Sequence, residues 1–322
     1  MNETCALILL PHLSVENANA VSANLTWGFP APGAVTGFAH ALARQLGDVT
    51  LGGVGIVCHD FDPQVAFPDG PWRPGRFRLA RHPYIAGWKK FKNEAAAIVE
   101  EGKAHLEVTL VIKVLTELEE DEADELAARV ASVLPILRLA GGSIRGNRPV
   151  EVRIWPEWEE DQRAAFRQLR YRLLPGFTLV ERSDLLAKHF QKLHQDDPQI
   201  SALDAWLDLL ALHVEPDSAS EEAPVHWQGR SRPGWLVPLP VGYGAISDLY
   251  GPGEVANARD PAVPFRFVES LYSIGQWLSP HRLDSLEQML WRGEADEDAG
   301  LYLCRNRYCQ SVNEEDLHGE ED

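Results

Sequence analysis

The sequence lacks the features that carry a chain into or through a membrane. No run of eighteen or more apolar residues occurs in its 322 residues, so no transmembrane helix is expected. The opening residues "MNETCALILLPHLS" have no basic segment before their short apolar run, which is not the pattern of a secretory signal. We therefore expect a cytoplasmic protein with no membrane partner.

Cysteine is also scarce. The four cysteines, Cys5, Cys58, Cys304 and Cys309, form no CxxC pair, and we interpret them as reduced thiols. Cys304 and Cys309 lack the second ligand pair that a structural zinc site needs. The sequence therefore predicts neither a disulfide framework nor a bound metal, and it indicates no cofactor.

The chain has fewer basic than acidic residues, but the excess of acid is concentrated in a few segments. The chain carries 30 Lys and Arg against 48 Asp and Glu, which gives a net charge of −18. Twenty of those acids lie in four segments without Lys or Arg, at residues 117–125, 217–222, 294–298 and 313–322. Without these twenty negative charges the net charge would be +2. A basic surface for nucleic acid therefore stays possible elsewhere in the chain.

The first half of the chain does have a clear succession of strand and helix patterns. Short apolar or alternating runs predict strands at residues 6–15, 51–61, 102–113 and 148–155. Amphipathic patterns predict one helix from about Gly33 to Leu46 and another at 121–137. The order β-α-β-β-α-β predicts the α+β class with a ferredoxin-like core, which also builds the RNA-recognition fold.

A basic insertion, at about residues 68–94, separates the second and third predicted strands. It holds seven positive residues: Arg73, Arg76, Arg78, Arg81, Lys89, Lys90 and Lys92. Five aromatic residues are interleaved with them: Trp72, Phe77, Tyr84, Trp88 and Phe91. Cations that follow phosphates and rings that stack on bases are what single-stranded nucleic acid requires. An exposed loop anchored by a few aromatic residues is the equally open alternative.

The second half reads as a helical and irregular extension. Helical patterns predict helices at residues 161–177, 183–194, 201–213, 265–278 and 280–291. Residues 215–224 read as a linker or exposed loop, and the tail from about Val312 as disordered. We therefore divide the chain into an RNA-recognition-motif-like core at 1–182, an extension at 183–311 and an acidic tail at 312–322.

Several long segments together resemble one known family. They are "LILLPHLSVENANAVSANLTWGFPAPGAVTGFAHAL", "AAAIVEEGKAHLEVTL", "RLAGGSI", "RLLPGF", "GWLVPLPVGY", "PGEVANARD" and "PFRFVESLYSIGQWLSPHR". The chain resembles the Csy-two family, the Cas-five-type subunit of the type I-F CRISPR RNA-guided surveillance complex, from about Ala6 to Trp291.

The resemblance implies a function that spacing alone does not show. It implies a non-catalytic subunit that pairs with the large subunit and holds the 5′ handle of the CRISPR RNA. Backbone subunits carry the guide onward in such a complex. It also implies that the subunit pair approaches target double-stranded DNA beside the protospacer-adjacent motif, while guide pairing reads the sequence.

Four candidate RNA-binding residues precede the third predicted strand. Asn17 and Asn19 stand at family-typical positions, where an amide side chain can read base edges or ribose hydroxyls, or can simply close an Asx turn. Trp27 can stack on a base or anchor its loop. Arg81 matches the family pattern better than the other insertion residues, and we predict that it binds phosphate. The helix that begins near Gly33 also points main-chain amides at an incoming phosphate.

Two further groups complete the candidate site. Arg138, Gly141, Gly142 and Ser143 form a glycine loop that RNA can approach closely, or a plain helix-to-strand turn. Asn257, Arg259 and Arg266 form the third group of RNA-binding candidates.

Two other functions stay open. Some Cas-five-type relatives cleave their own repeat RNA, which requires a base, an acid and an oxyanion donor around the 2′-hydroxyl. The sequence has His40, His105 and Tyr84 but nothing that groups them. The acidic segments and the tryptophan-rich second half are compatible with a pure protein–protein scaffold.

Overall fold

The computed structural model describes residues 5–67, 75–82, 97–216, 227–230 and 233–310, without the side chains of residues 80–82 and 97. The chain forms two compact units, residues 1–165 and 166–322. Each unit combines α-helices with antiparallel strands, so the chain is a mixed α/β protein.

The elements of the first unit follow in chain order. They are β1 (Ala6–Asn19), β2 (Val21–Ala23), β3 (Thr26–Trp27), α1 (Pro32–Leu46), β4 (Leu51–Pro63), β5 (Val65–Ala66), β6 (Arg76–His82), β7 (Ala97–Glu101), β8 (Lys103–Val114), α2 (Glu122–Val133), β9 (Arg138–Leu139), β10 (Gly142–Gly146), β11 (Glu151–Ile154) and α3 (Glu159–Arg172), whose second half belongs to the second unit. A 3-10 turn, Leu134–Ile136, follows α2. The four strands and two helices predicted for this half are confirmed.

The sheet of the first unit has the strand order β4-β8-β1-β10-β9. Strand β1 pairs antiparallel with β8. It also pairs with β11 through Ala6–Leu9 and with β10 through Ser14–Glu16. Smaller sheets join β5, β6 and β7, and β2 with β3. The first half of β1 therefore lies between β8 and β11. Its second half lies between β8 and the β9–β10 hairpin.

Alternation in the sequence explains how this sheet is buried. In β8 the side chains of Ala104, Leu106 and Val108 are buried, while the intervening residues are partly exposed. Helix α1 buries Val35 and Phe38, which share a face of a 3.6-residue period. Each large apolar side chain removed from water contributes about 1.5–3 kcal/mol. One face of β8 thus packs into the core, and the other face carries polar residues.

The second unit also contains a sheet. Its elements are β12 (Phe177–Glu181), α4 (Ser183–Asp196), α5 (Ala202–Leu210), β13 (Val214–Pro216), β14 (Trp227–Gly229), β15 (Trp235–Ala245), β16 (Val268–Leu278), β17 (Leu290–Asp296) and β18 (Leu301–Asn306). The strand order is β12-β16-β15-β18-β17, and β13 pairs with β14. A capping box between Ser201 and Asp204 begins α5. Helices α3, α4 and α5 confirm the helices predicted at 161–177, 183–194 and 201–213.

The helices predicted at 265–278 and 280–291 are wrong. Residues 268–278 form β16, and 3-10 turns at Pro280–Arg282 and Leu286–Gln288 precede β17. The last six residues of β16 are all buried, so the strand has no alternation that separates it from a buried helix. Gly275 fits there because a Cβ would lie 2.9 Å from Leu179 Cδ1. A strand packed closely on its neighbours produced the helix-like pattern.

The apolar segment at 235–245, which has no regular period in the sequence, is the strand β15. It pairs with β16 along its length, whereas β18 pairs with it only at Gly242–Gly244, beyond Pro238 and Pro240. Proline is tolerated where one edge of a strand needs no donor.

No helix within the described residues is long and apolar enough to cross a membrane. The acidic tail predicted from Val312 lies outside the described residues.

Candidate nucleic-acid interface

Six of the predicted RNA-binding residues meet at the end of β1. Glu16 stands opposite Ser143 in the β1–β10 pairing, and the Asn19 main-chain N–H donates to the Ala140 carbonyl at 2.8 Å. The end of β1 thereby lies beside the hairpin that carries the glycine loop. The β1-end cluster, as named here, consists of Asn17, Asn19, Arg138, Gly141, Gly142 and Ser143, with His105 from β8 and Gln64 from the junction of β4 and β5.

The glycine loop is a tight β-hairpin. Ala140 and Gly141 both have positive φ, of 49° and 75°, between the paired residues Leu139 and Gly142. Two consecutive positive φ values are the signature of the type I′ turn, which matches the twist of a hairpin. Gly141 is exposed, and a Cβ built there would meet nothing within 4 Å. This turn is the open, approachable part of the loop.

Gly142 has a different role from Gly141. It is buried, and a Cβ at this position would lie 2.8 Å from both the Ala18 nitrogen and the Glu16 oxygen. Those are main-chain atoms of β1 and cannot rotate away. Glycine at 142 therefore lets the hairpin lie directly against β1, a packing reason that the sequence could not separate from close approach by RNA.

The cations of the hairpin differ in how well their charge is compensated. Arg145 lies 3.0 Å from the carboxylate of Glu16. Arg138 is exposed and donates from Nη1 to the Ser143 hydroxyl at 2.7 Å, and it makes no ion pair with a carboxylate among the described residues. The guanidinium of Arg138 is thus held in place by a neutral partner and keeps its charge available for a phosphate.

The two asparagines differ in how far neighbouring groups already use their hydrogen-bonding atoms. Asn19 closes an Asx turn, since its Nδ2 donates to the Val21 carbonyl at 2.7 Å and its Oδ1 accepts from the Val21 N–H at 3.2 Å. Asn17 is exposed and has a φ of 57° at an irregularity in β1, a conformation that asparagine tolerates. Its side-chain amide contacts Gln64, and its main-chain N–H points to His105.

Trp27 lies in the β2–β3 hairpin and is 57% exposed. Its ring contacts that of Phe77 in β6 edge-on, with centroids 5.4 Å apart. One ring face is therefore not used by this contact and can receive a base. Helix α1 starts soon after, with Ala31 at the N-cap and no side-chain cap among the described residues.

Two predicted groups are described apart from this cluster. The backbone of Arg81 pairs with Ile98 in the β6–β7 ladder, and its side chain lies outside the described atoms, as do residues 68–74 and 83–94 of the insertion. Asn257, Arg259 and Arg266 belong to the second unit. There Asn257 and Arg259 are exposed, and Arg266 donates to the Glu297 carbonyl at 3.3 Å.

Sequence reasoning missed a histidine pair on the sheet of the first unit. The rings of His12 and His59 stack with centroids 4.1 Å apart. Nδ1 of His12 lies 2.5 Å from Glu107 Oε1, and Nε2 of His59 lies 2.7 Å from the Thr109 hydroxyl. His12 has a positive φ, so an irregularity in β1 turns its ring. No local sequence pattern indicates a contact between residues as far apart in the chain as His12 and His59.

A second polar cluster, in the second unit, is buried. The β12 cluster, as named here, consists of Glu181, Arg182, Asp184 and Cys309. Arg182 donates from Nε and Nη2 to the two carboxylate oxygens of Asp184, at 2.9 Å each. Burial alone would raise the pKa of Asp184, but hydrogen bonds from Arg182 and Cys309 leave it lowered. Burial raises the pKa of Cys309 to about 11, so the thiol stays protonated at neutral pH.

Comparison with known proteins shows the family of this chain. The sequence model of the family described as "CRISPR-associated protein (Cas_Csy2)" matches residues 8–304. The chain is 48% identical over 313 residues to "CRISPR-associated protein Csy2" of Pseudomonas aeruginosa (strain UCBPP-PA14), which covers 92% of this chain and 94% of that protein. By both matches, the chain belongs to the Cas_Csy2 family of CRISPR-associated proteins.

Proposed function

We propose that this protein is the non-catalytic subunit of a type I-F surveillance complex that holds the 5′ handle of the CRISPR RNA. The β1-end cluster carries the proposal, because it joins an exposed asparagine, an exposed turn glycine and an arginine without a described carboxylate partner. Arg138 contacts a phosphate, Asn17 contacts a base edge, and Trp27 stacks on a base. Arg81, Asn257, Arg259 and Arg266 stay predicted contacts.

The scaffold of this site is proposed to be a ferredoxin-like core within residues 1–182. The strand order β4-β8-β1-β11, with all neighbours antiparallel and the helices after β1 and β8, is the order that a β-α-β-β-α-β unit adopts in that fold. In this arrangement the handle lies at the end of β1, where the β9–β10 hairpin extends the sheet.

The second unit is proposed to supply the surface that pairs with the large subunit. Large apolar side chains are exposed along β15 and just beyond it, at Trp235, Tyr243 and Ile246. Obligate interfaces bury apolar area of this kind. Through the large and backbone subunits, the protein supports recognition of target double-stranded DNA next to the protospacer-adjacent motif, in the cytoplasm. The chain expressed alone is expected to be poorly soluble.

The proposal is tested by a gel shift of the chain, co-purified with its large subunit, on handle RNA and on a scrambled handle at one salt concentration. Preferential binding of the handle is expected, and equal binding would favour the pure scaffold. We predict that Arg81→Ala weakens binding and flattens the log–log salt slope by roughly 0.7, the value of one phosphate contact on a single strand. An unchanged slope would remove Arg81 from the site.

One observation favours a second function, repeat-RNA cleavage. His12 with Glu107 forms a carboxylate–imidazole pair, the arrangement of a general base, beside the stacked ring of His59. Incubation of the same complex with repeat RNA in EDTA tests it. Intact RNA is expected under our proposal, whereas a product that disappears in His12→Ala would establish the nuclease.

A further inference from the structure

The hydrogen bonds around Asn17 decide which end of its side chain faces solvent. The Asn17 main-chain N–H lies 3.4 Å from His105 Nδ1. One terminal atom of the Gln64 amide, placed as Nε2, lies 2.7 Å from Asn17 Oδ1 and 3.0 Å from His105 Nε2. Oxygen and nitrogen of a side-chain amide are distinguished by their partners, so the whole network must be made consistent.

The main-chain N–H fixes the starting point, because it can only donate. His105 Nδ1 must then accept, and in a neutral imidazole the proton sits on Nε2. The Gln64 atom that faces Nε2–H must therefore be the carbonyl oxygen. That same atom faces Asn17, so Asn17 must turn its NH₂ group toward it. The opposite assignment would set the His105 Nδ1–H against the Asn17 main-chain N–H, two donors face to face.

We infer that Asn17 presents its carbonyl oxygen to the RNA and selects a base with an amino group at C4 of a pyrimidine or C6 of a purine, namely cytosine or adenine over uracil or guanine. An outward acceptor pairs with the N4 amino group of cytosine or the N6 amino group of adenine. Uracil and guanine have a carbonyl oxygen at the corresponding position, so two acceptors would meet. Gln64 and His105 are positioning residues that hold this orientation. The inference rests on the proposed handle-binding function.

The test is a deamination scan by fluorescence anisotropy with the chain co-purified with its large subunit. Each handle cytidine in turn is replaced by uridine and each adenosine by inosine, which exchanges an amino group for a carbonyl and leaves the ribose unchanged. Deamination is expected to weaken binding about tenfold at one nucleotide. In Asn17→Gly, which keeps the positive φ accessible, that difference is expected to vanish. Asn147→Gly, which removes another exposed amide of the first unit, is expected to keep it.

Two variants of Gln64 test the orientation itself. A carboxylate in Gln64→Glu accepts from both His105 and Asn17, so selectivity is expected to persist although the added negative charge weakens all RNA binding. The ammonium in Gln64→Lys only donates, so selectivity is expected to disappear although the added positive charge strengthens all binding. General electrostatics predicts no such change in the ratio of affinities.

The outcomes separate this inference from the proposed function. If the wild-type complex prefers handle to scrambled RNA but no deaminated position binds more weakly, the function stands and the inference is wrong. Selectivity that survives in Asn17→Gly, or that persists in Gln64→Lys and is lost in Gln64→Glu, also overturns it. No preference for handle RNA at all contradicts the proposed function, and the inference with it.

Discussion

The β1-end cluster and the β12 cluster contain similar residue types but differ in where their polar atoms point. In the β12 cluster, Arg182 donates hydrogen bonds to Asp184 and Gln276, and the Asp184 side chain is 2% exposed. In the β1-end cluster, Arg138 has a neutral partner, and Asn17 is exposed. Buried charged residues that compensate each other are costly to separate, whereas held but uncompensated groups at the surface are available to a ligand.

The largest expected effect comes from breaking the β12 cluster. Arg182→Leu removes one member of a buried ion pair and leaves the Asp184 carboxylate without its main partner. Such a change costs about 3–5 kcal/mol of unfolding free energy. Denaturant unfolding of the full chain with its large subunit measures it.

The matched control is Arg163→Leu, which removes a similar contact at the surface. Arg163 pairs with Glu159 one helical turn away, and the two side chains are 68% and 76% exposed. An exposed pair of this kind contributes about 0.3–0.5 kcal/mol. Equal losses of stability in the two variants would show that the β12 cluster is not a buried structural pair.

The second prediction concerns the contact that builds the β1-end cluster. Gly142→Ala places a Cβ against main-chain atoms of β1, 2.8 Å from the Ala18 nitrogen. Forcing these backbones apart costs about 1–3 kcal/mol and should weaken handle binding, because the hairpin shifts. Gly146→Ala, in the same strand, meets nothing within 4 Å and should stay within about 0.5 kcal/mol of wild type. A neutral Gly142→Ala would mean that the hairpin does not lie against β1.

The acid dependence of stability tests the β12 cluster more finely. Burial alone would raise the Asp184 pKa, but Arg182 and Cys309 hold it below its ordinary value. The folded state therefore binds fewer protons than the unfolded state. This contribution to stability is fully present above about pH 3.9, the ordinary Asp pKa, and is lost as the pH falls through the lowered folded-state pKa. Asp184→Asn should flatten the acid limb of stability against pH, and an unchanged limb would contradict the assignment.

Local patterns predicted the parts of the fold that local patterns determine. The alternation of Ala104, Leu106 and Val108 predicted β8, and the spacing of Val35 and Phe38 predicted α1. The same reasoning was wrong for β16, because a strand buried along one half has no period of its own. Sequence periodicity reports exposure, so it is informative only where one side of an element faces water.

The candidate site was predictable only in its parts. Glycines with a neighbouring arginine drew attention to the 138–143 loop, and two asparagines marked the end of β1. Gln64 and His105 reach Asn17 from positions 47 and 88 residues away in the chain. Nothing in the local sequence distinguishes Gln64 from other glutamines. Strand pairing creates the network, so the proposed orientation of Asn17 depends on a register that the sequence does not give.

The smallest expected effect compares two arginines of one hairpin. Arg138→Gln keeps a hydrogen bond to Ser143 but removes a charge that no described carboxylate balances. The log–log salt slope of handle binding should flatten by roughly 0.7. Arg145→Gln removes a charge already paired with Glu16, so its slope should change less. Binding titrations across a range of salt concentrations measure both slopes. Equal slopes in the two variants would show that compensation by a neighbouring carboxylate does not decide which cation meets the phosphate, and the distinction between the two clusters would then rest on burial alone.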